Sequence, residues 1–307
     1  MDIDFTRRRF CQVVAACAAI PGIAAVRAST ENRMLTRPIP SSGEPLPVIG
    51  LGTSDVFDVG ADEAARAPLA EVLKILLKAG GSLLDTSPMY GRAEGVSGDL
   101  IETAAARANM FLATKVWSTG KAEGLRQIEA SMRLLKTDTL DLVQVHNLVD
   151  LAAQLANVRA LKEAGKLRYT GITHYTVAAH AELERVIGRE ALDFVQFNYS
   201  IATRDAEKRL LPLAAERKVA VLVNRPYEDG ALFVRVRGKP LPEWAAEFDC
   251  ASWGQFFLKF ILGHPAVSCV IPATAKPTHM LDNAAAGYGR LPDQPMREKM
   301  AAYFAAL

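Results

Sequence analysis

A single-domain (β/α)8 barrel, the TIM-barrel form of the α/β class, is predicted by three features of the sequence. After residue 45, short apolar runs alternate strictly with longer helical patterns, through eight strand–helix units. The runs are apolar at successive positions, as expected for strands covered on both faces. No Gly-x-Gly-x-x-Gly follows the first run, and Gly50-Leu51-Gly52 is too short for that fingerprint, which argues against an open dinucleotide-binding sheet. Eight strict repeats favour a closed parallel barrel.

The elements follow in order. Val48 to Thr53 reads as the first strand, followed by a helical pattern through Leu69, Val72, Leu73, Leu76 and Leu77 that ends at Gly80-Gly81. Ser82 to Thr86 precedes a helix near Gly98 to Arg107, and Met110 to Lys115 precedes one near Ala122 to Leu135. Asp141 to His146 leads into Leu151 to Ala164, closed by Gly165. Leu167 to Thr173 leads into Ala178 to Ile187, and Asp193 to Asn198 into Asp205 to Arg217. Val219 to Asn224 is followed by the longest irregular connection, 225–250, and then by a helix near Ser252 to Leu262. Val267 to Ile271 is the last strand, before a helix near Thr278 to Ala286. Residues 34–47 predict a hairpin across the barrel bottom, and 294–306 an extra C-terminal helix. Long loops at a barrel's C-terminal face carry binding and lid functions.

The chain has 307 residues, half of them hydrophobic, which is ample for one large core. Its formal charge of +2 points to no nucleic-acid partner. Thr6-Arg7-Arg8-Arg9-Phe10, the apolar stretch Cys11 to Ala25 and then Val26-Arg27-Ala28 resemble a twin-arginine (Tat) signal peptide, an address read by an export receptor. The predicted organisation is therefore a signal over 1–28 and a barrel over 34–307. The protein would be periplasmic or secreted through the Tat machinery, and cytoplasmic if the signal is not used. An uncleaved amphipathic helix is one alternative, and lipidation at Cys17, after Val14-Ala15-Ala16, is another. The stretch is too short and broken for a stable membrane span. Residues 29–307 contain two cysteines, Cys250 and Cys269, which make no disulfide framework, and Cys269 reads as a buried thiol.

In such a barrel, polar residues at the C-terminal strand ends point into the mouth. Asp85, Lys115 and His146 stand at the ends of strands two, three and four, and Tyr90 lies five residues past Asp85. Each has an ordinary structural use as a loop cap, a solvated lysine or a satisfied core histidine. Together at successive strand ends they suit one chemistry. A carbonyl that receives hydride becomes an alkoxide and needs a proton. A free tyrosine, with a pKa of about 10, is a sluggish acid at neutral pH. Lys115 would lower that pKa, Asp85 would keep the lysine charged, and His146 would hold the carbonyl oxygen. Histidine and carboxylate clusters of the kind that hold a catalytic metal are missing from the strand ends, so no metal is expected.

Gly50-Leu51-Gly52-Thr53, Leu84-Asp85-Thr86-Ser87-Pro88-Met89-Tyr90-Gly91, Thr114-Lys115-Val116-Trp117 and Asp141-Leu142-Val143-Gln144-Val145-His146 resemble the signatures of the aldo-keto reductase family. Gly171-Ile172-Thr173-His174-Tyr175, Val195-Gln196-Phe197-Asn198-Tyr199-Ser200 and Ile271-Pro272-Ala273-Thr274 continue the resemblance, which spans roughly residues 45–290. It implies an NAD(P)H-dependent oxidoreductase that reduces an aldehyde or ketone, with Asp85, Tyr90, Lys115 and His146 as the catalytic tetrad. It also implies that Gln196 binds the nicotinamide carboxamide and that Thr53 lies near the cofactor. Trp117 stands where the family often lines the substrate pocket with an aromatic; Met89, Phe233 and Trp244 are further wall candidates.

The sequence departs from the family pattern in three places. Thr173-His174 replaces the usual Ser-Asn. Asn224 stands where an aromatic often stacks under the nicotinamide, with Tyr227 as a substitute that could reach back. Ala273 and His279 occupy positions that commonly carry the basic residues for the adenosine 2′-phosphate, with Thr274, Lys276 and Asn283 still available. NADPH is expected over NADH, which stays possible. Arg235, Arg237 and Lys239 could embrace the pyrophosphate or simply be solvated. The alternative function is a cofactor-binding regulatory or interaction protein on the same barrel, with little turnover; a metal-dependent barrel hydrolase is a third reading.

Overall fold

A computed structural model of the chain describes residues 33–307. The twin-arginine segment and Cys17 lie outside the described residues. Eight parallel strands form the barrel wall: β3 Leu51–Gly52, β4 Leu83–Asp85, β5 Phe111–Val116, β6 Leu140–His146, β7 Leu167–Thr173, β8 Phe194–Asn198, β9 Ala220–Asn224 and β10 Cys269–Val270. Each pairs with its neighbour in chain order, and parallel bridges Ile49↔Val270 and Gly52↔Ala273 join the last strand to the first segment. The hairpin of β1 Thr36–Pro38 and β2 Pro45–Pro47 is present as expected.

The helices are α1 Glu63–Lys78, α2 Ala93–Thr103, α3 Lys121–Leu134, α4 Leu151–Glu163, α5 His180–Arg189, α6 Leu210–Glu216, α7 Ala231–Arg235, α8 Trp253–Leu262, α9 Pro277–Ala285 and α10 Gln294–Ala305. None of the described helices is long and apolar enough to cross a membrane.

Side chains of a strand alternate faces, and the inner face of this barrel is a separate apolar cluster. Leu83, Phe111, Ala113, Leu142, Tyr169, Phe194, Ala220, Leu222, Cys269 and Ile271 fill it, with Ile39 and Leu46 of the hairpin plugging the bottom. Two positions further along the same strands stand Asp85, Lys115, Gln144, Gln196 and Asn224, and one more step of two gives His146 on β6 and Thr173 on β7. Strand parity therefore carries the inward direction from an apolar floor to a polar rim. Gly171 makes room for that rim, since a Cβ there would meet the Phe194 carbonyl at 2.8 Å and Gln144 Cγ at 3.2 Å.

The structure departs from expectation in three elements. Helix α2 begins at Ala93 rather than Gly98, because Ala93, Val96, Leu100 and Ile101 already form its buried stripe. Gly98 is a packing glycine inside the helix, with the Leu134 carbonyl 2.0 Å from where a Cβ would sit. The expected helix Asp205 to Arg217 is split into a single 3-10 turn, Asp205–Glu207, and α6, with Pro212 in the first turn of α6 where a missing N–H costs nothing. The connection 225–250 contains α7 and a 3-10 segment, Glu243–Phe248, that the pattern did not show.

Candidate active site

Beyond the C-terminal strand ends lies a cavity of about 1110 Å³. At its floor is a buried ion pair, with Asp85 on the wall and Lys115 beneath it. The Lys115 ammonium donates to Asp85 Oδ2 at 2.5 Å and to the Thr86 carbonyl at 2.7 Å. Asp85 Oδ1 accepts from Gln196 Nε2 at 2.9 Å and Gln144 Nε2 at 3.2 Å. Thr53, fully buried, donates both its N–H and its hydroxyl to the Asp85 carbonyl, at 3.1 and 3.0 Å. The Lys115 Nζ lies 4.9 Å from the Tyr90 ring centroid, and the His146 ring stands edge-on to Tyr90 at 6.2 Å.

Tyr90 is aimed by its loop. Its N–H donates to the Ser87 carbonyl, and its own carbonyl accepts from Ala93 at the start of α2. Gly91 has φ +59°, and a Cβ there would strike the Asp58 carboxylate, which itself accepts from Arg92. A side chain at residue 91 would be strained twice over.

Burial and charge set three protonation states. Burial alone would depress the Lys115 ammonium, but the Asp85 carboxylate and the Tyr90 phenol outweigh it and hold its pKa above the ordinary lysine value. Burial pushes the Tyr90 phenol above its ordinary value, against the pull of Lys115. The expectation that Lys115 brings this phenol below its usual pKa is thus corrected: desolvation of a phenolate outweighs the ammonium, and the Asp85 carboxylate opposes it as well. Burial, with the Lys115 charge and then His174, pushes His146 down to about 3, so its imidazole is neutral.

The structure brings most of the expected site residues to the cavity wall. Asp85, Met89, Tyr90, Trp117, His146, Thr173, Gln196, Asn224, Tyr227, Thr274, His279 and Asn283 line it. Lys115 and Thr53 sit beneath it, fully buried. His174 and Lys276 are not on the wall. The His174 Nδ1 turns back to accept from the Tyr175 and Thr176 N–H groups, and its ring stacks on Tyr175. Lys276 is exposed ahead of α9, and Thr274 Oγ1 accepts from its backbone N–H.

Several expected roles change with the contacts. The Gln196 amide is saturated: Nε2 donates to Asp85 and Gln144, and Oε1 accepts from Thr173 Oγ1 at 3.1 Å and Asn224 Nδ2 at 3.2 Å. Asn224 also donates to the His174 carbonyl, which leaves its buried Oδ1 without a partner. Tyr227 does not reach back over the strand ends; its hydroxyl donates to Asn283 Oδ1 at 2.6 Å and its ring packs on Phe233. Arg235 and Lys239 tie down the C-terminus, donating to the Phe304 and Leu307 carbonyls, so of the three basic loop residues Arg237 alone lines the cavity. Trp244 packs on Phe248, Phe256 and Tyr303, away from the wall, whereas Phe233 is on it.

Residues not anticipated include Ser87, Asp55, Arg225, Ser252 and Asp282. Ser252 carried a signal, since Ser252-x-x-Gln255 has the pattern of a helix N-terminus and the Ser252 side chain caps α8. Asp282 accepts from Ser252 Oγ at 2.7 Å and Gln255 Nε2 at 2.8 Å. Among the described residues no group of three His, Cys, Asp or Glu is placed to hold a metal ion. The cavity is larger than a small carbonyl compound needs. It extends to the first residues of α8 and to α9, with Arg237 on its wall, an extent and charge that fit a dinucleotide.

Residues 48–302 match the model of the aldo/keto reductase family. The chain belongs to that family. It is an oxidoreductase. The methylglyoxal reductase YeaE of Escherichia coli (strain K12) is 30% identical over 247 residues, covering 78% of this chain and 85% of that protein. An aldo-keto reductase of Klebsiella pneumoniae, solved in complex with NADPH, is 25% identical with a TM-score of 0.72, covering 88% of this chain and 95% of that one. An aldo/keto reductase from the same organism, in complex with NADP and acetate, is 26% identical with a TM-score of 0.70, covering 85% and 93%.

The sign of the His146 shift sets a prediction. An unfolded histidine takes a proton near about pH 6.5, whereas the folded one waits until about 3. His146 therefore stabilises the fold above that window and progressively less as pH falls through it. In a proton NMR titration its ring resonances should show no step between about pH 5 and pH 8; a midpoint near the unfolded value would contradict the buried environment.

Proposed function

We propose that this aldo-keto reductase reduces an aldehyde or ketone to an alcohol with NADPH, and that Tyr90 delivers the proton. The observation that carries this reading is the buried Lys115–Asp85 pair beneath Tyr90, with neutral His146 at the edge of the same ring. The reduced nicotinamide, when bound, supplies hydride. Everything else falls to the chain's own side chains.

A carbonyl accepting hydride builds negative charge on its oxygen. Tyr90, held as a neutral phenol by burial, has its proton in place at neutral pH. Once it gives the proton up, the Lys115 ammonium offsets the charge left on the phenolate. Asp85 keeps that ammonium charged and fixed, acting through Lys115 rather than on substrate. His146, uncharged, offers a hydrogen bond to the carbonyl oxygen without adding a second cation. Trp117 and Met89 wall the substrate side.

Thr173 and Asn224, both on the cavity wall and the latter with its Oδ1 unpartnered among the described residues, would receive the nicotinamide carboxamide, with Gln196 bracing them against Asp85. Tyr227, Thr274, His279 and Asn283 serve the adenosine end, and Lys276 stands just outside it. Arg237 adds a charge for the pyrophosphate, which both cofactors carry; the relatives solved with NADP and NADPH support NADPH over NADH. The catalytic unit is the barrel of residues 34–307. Residues 1–28 are a twin-arginine signal that sends it, folded and loaded with cofactor, to the periplasm; the order of basic head, apolar body and small residues supports this.

Tyr90→Phe should lower turnover of a generic aldehyde by about 10²-fold or more, while a fluorescence titration still reports NADPH binding. Unchanged turnover in that variant would contradict the assignment. Arg7→Lys combined with Arg8→Lys should leave the protein in the cytoplasmic fraction of an exporting host, and normal periplasmic recovery would contradict the signal.

A further inference from the structure

A neutral imidazole has one proton and two nitrogens, and only one of the two tautomers lets His146 donate into the cavity. Ser87, fully buried directly after β4, faces the other nitrogen: its Oγ lies 3.3 Å from His146 Nδ1. The same Oγ accepts the Met89 backbone N–H at 3.1 Å. With one lone pair taken by that N–H, the hydroxyl proton has His146 Nδ1 as its acceptor, and the described residues offer it no other. The His146 Nε2 has no hydrogen-bond partner among the described residues, and the ring lines the cavity.

We infer that Ser87 is a positioning residue that holds His146 in the Nε2–H tautomer, so that the nitrogen free to meet the carbonyl oxygen is the one that carries the proton. The reversed arrangement, with Nδ1–H donating to Ser87, would present a lone pair at Nε2 to an oxygen that is gaining negative charge. Ser87 also accepts the Tyr90 N–H at its carbonyl, at 3.0 Å, so one turn aims the phenol and sets the imidazole. The inference rests on the reductase reading above.

The test is a long-range 1H–15N correlation spectrum of the full-length protein carrying 15N-histidine, with His146→Gln identifying the signal. The unaltered protein should show a pyridine-type Nδ1 and a pyrrole-type Nε2 at neutral pH. Ser87→Ala should shift His146 toward the other tautomer and lower kcat about tenfold, the loss of one aligned hydrogen bond, with the Kd for NADPH unchanged. Ser87→Thr, which keeps the hydroxyl, should restore both. A pyrrole-type Nδ1 in the unaltered protein, or an unmoved tautomer in Ser87→Ala, would overturn the inference. So would a shifted tautomer with unchanged turnover. The tautomer is read without substrate, so each of these results is separable from failure of the reductase reading, which would show as no turnover in the unaltered protein.

Discussion

The site depends on one charge being kept where charge is expensive. Lys115 is fully buried and its partner Asp85 nearly so. Each ion taken from water into a protein interior costs several kcal/mol, offset only when geometry and hydrogen bonding are nearly complete. That requirement explains the polar floor of the cavity. Asp85 receives Lys115 on one oxygen and two glutamine amides on the other, and its backbone carbonyl is held by Thr53. The glutamines are held in turn, Gln196 by Thr173 and Asn224. A chain of hydrogen bonds thus runs across strands β4 to β9, and the register of the barrel decides whether it closes.

The three groups at the cavity floor, Lys115, Tyr90 and His146, are tuned in opposite senses by the same burial. Desolvation disfavours whichever form is charged, raising the Tyr90 phenol and lowering His146. Lys115 escapes because Asp85 is within hydrogen-bond reach. The outcome at neutral pH is one cation beneath a neutral acid and a neutral donor. That is a poor site for holding a static anion and a good one for an oxygen whose charge appears only during reaction.

The barrel and three polar residues at its strand ends, Asp85, Lys115 and His146, were legible in the sequence because they obey short-range rules: unbroken apolar runs, Gly-closed helices, and polar residues closing a strand; Tyr90 followed from its place five residues past Asp85. What was not legible depended on contacts between distant elements. Gly98 reads as the start of a helix until the Leu134 carbonyl is seen packed against it in the helix interior. Arg235 and Lys239 read equally as phosphate ligands or as solvated loop residues until α10 and the C-terminus dock and offer them the Phe304 and Leu307 carbonyls. Gln196 is where the motif puts it, but its saturation by four partners is invisible to a motif. The balance between Lys115 and burial at Tyr90 is a competition of magnitudes, which no residue pattern encodes.

The most direct measurement of the claim that the buried pair serves Tyr90 removes the pair without leaving a lone charge. Asp85→Asn combined with Lys115→Met keeps the floor neutral. Single-turnover oxidation of bound NADPH by an aldehyde should then be slower than in the unaltered protein by about 10²-fold or more, with the Kd for NADPH unchanged. Equal single-turnover rates in a folded double variant would contradict the account.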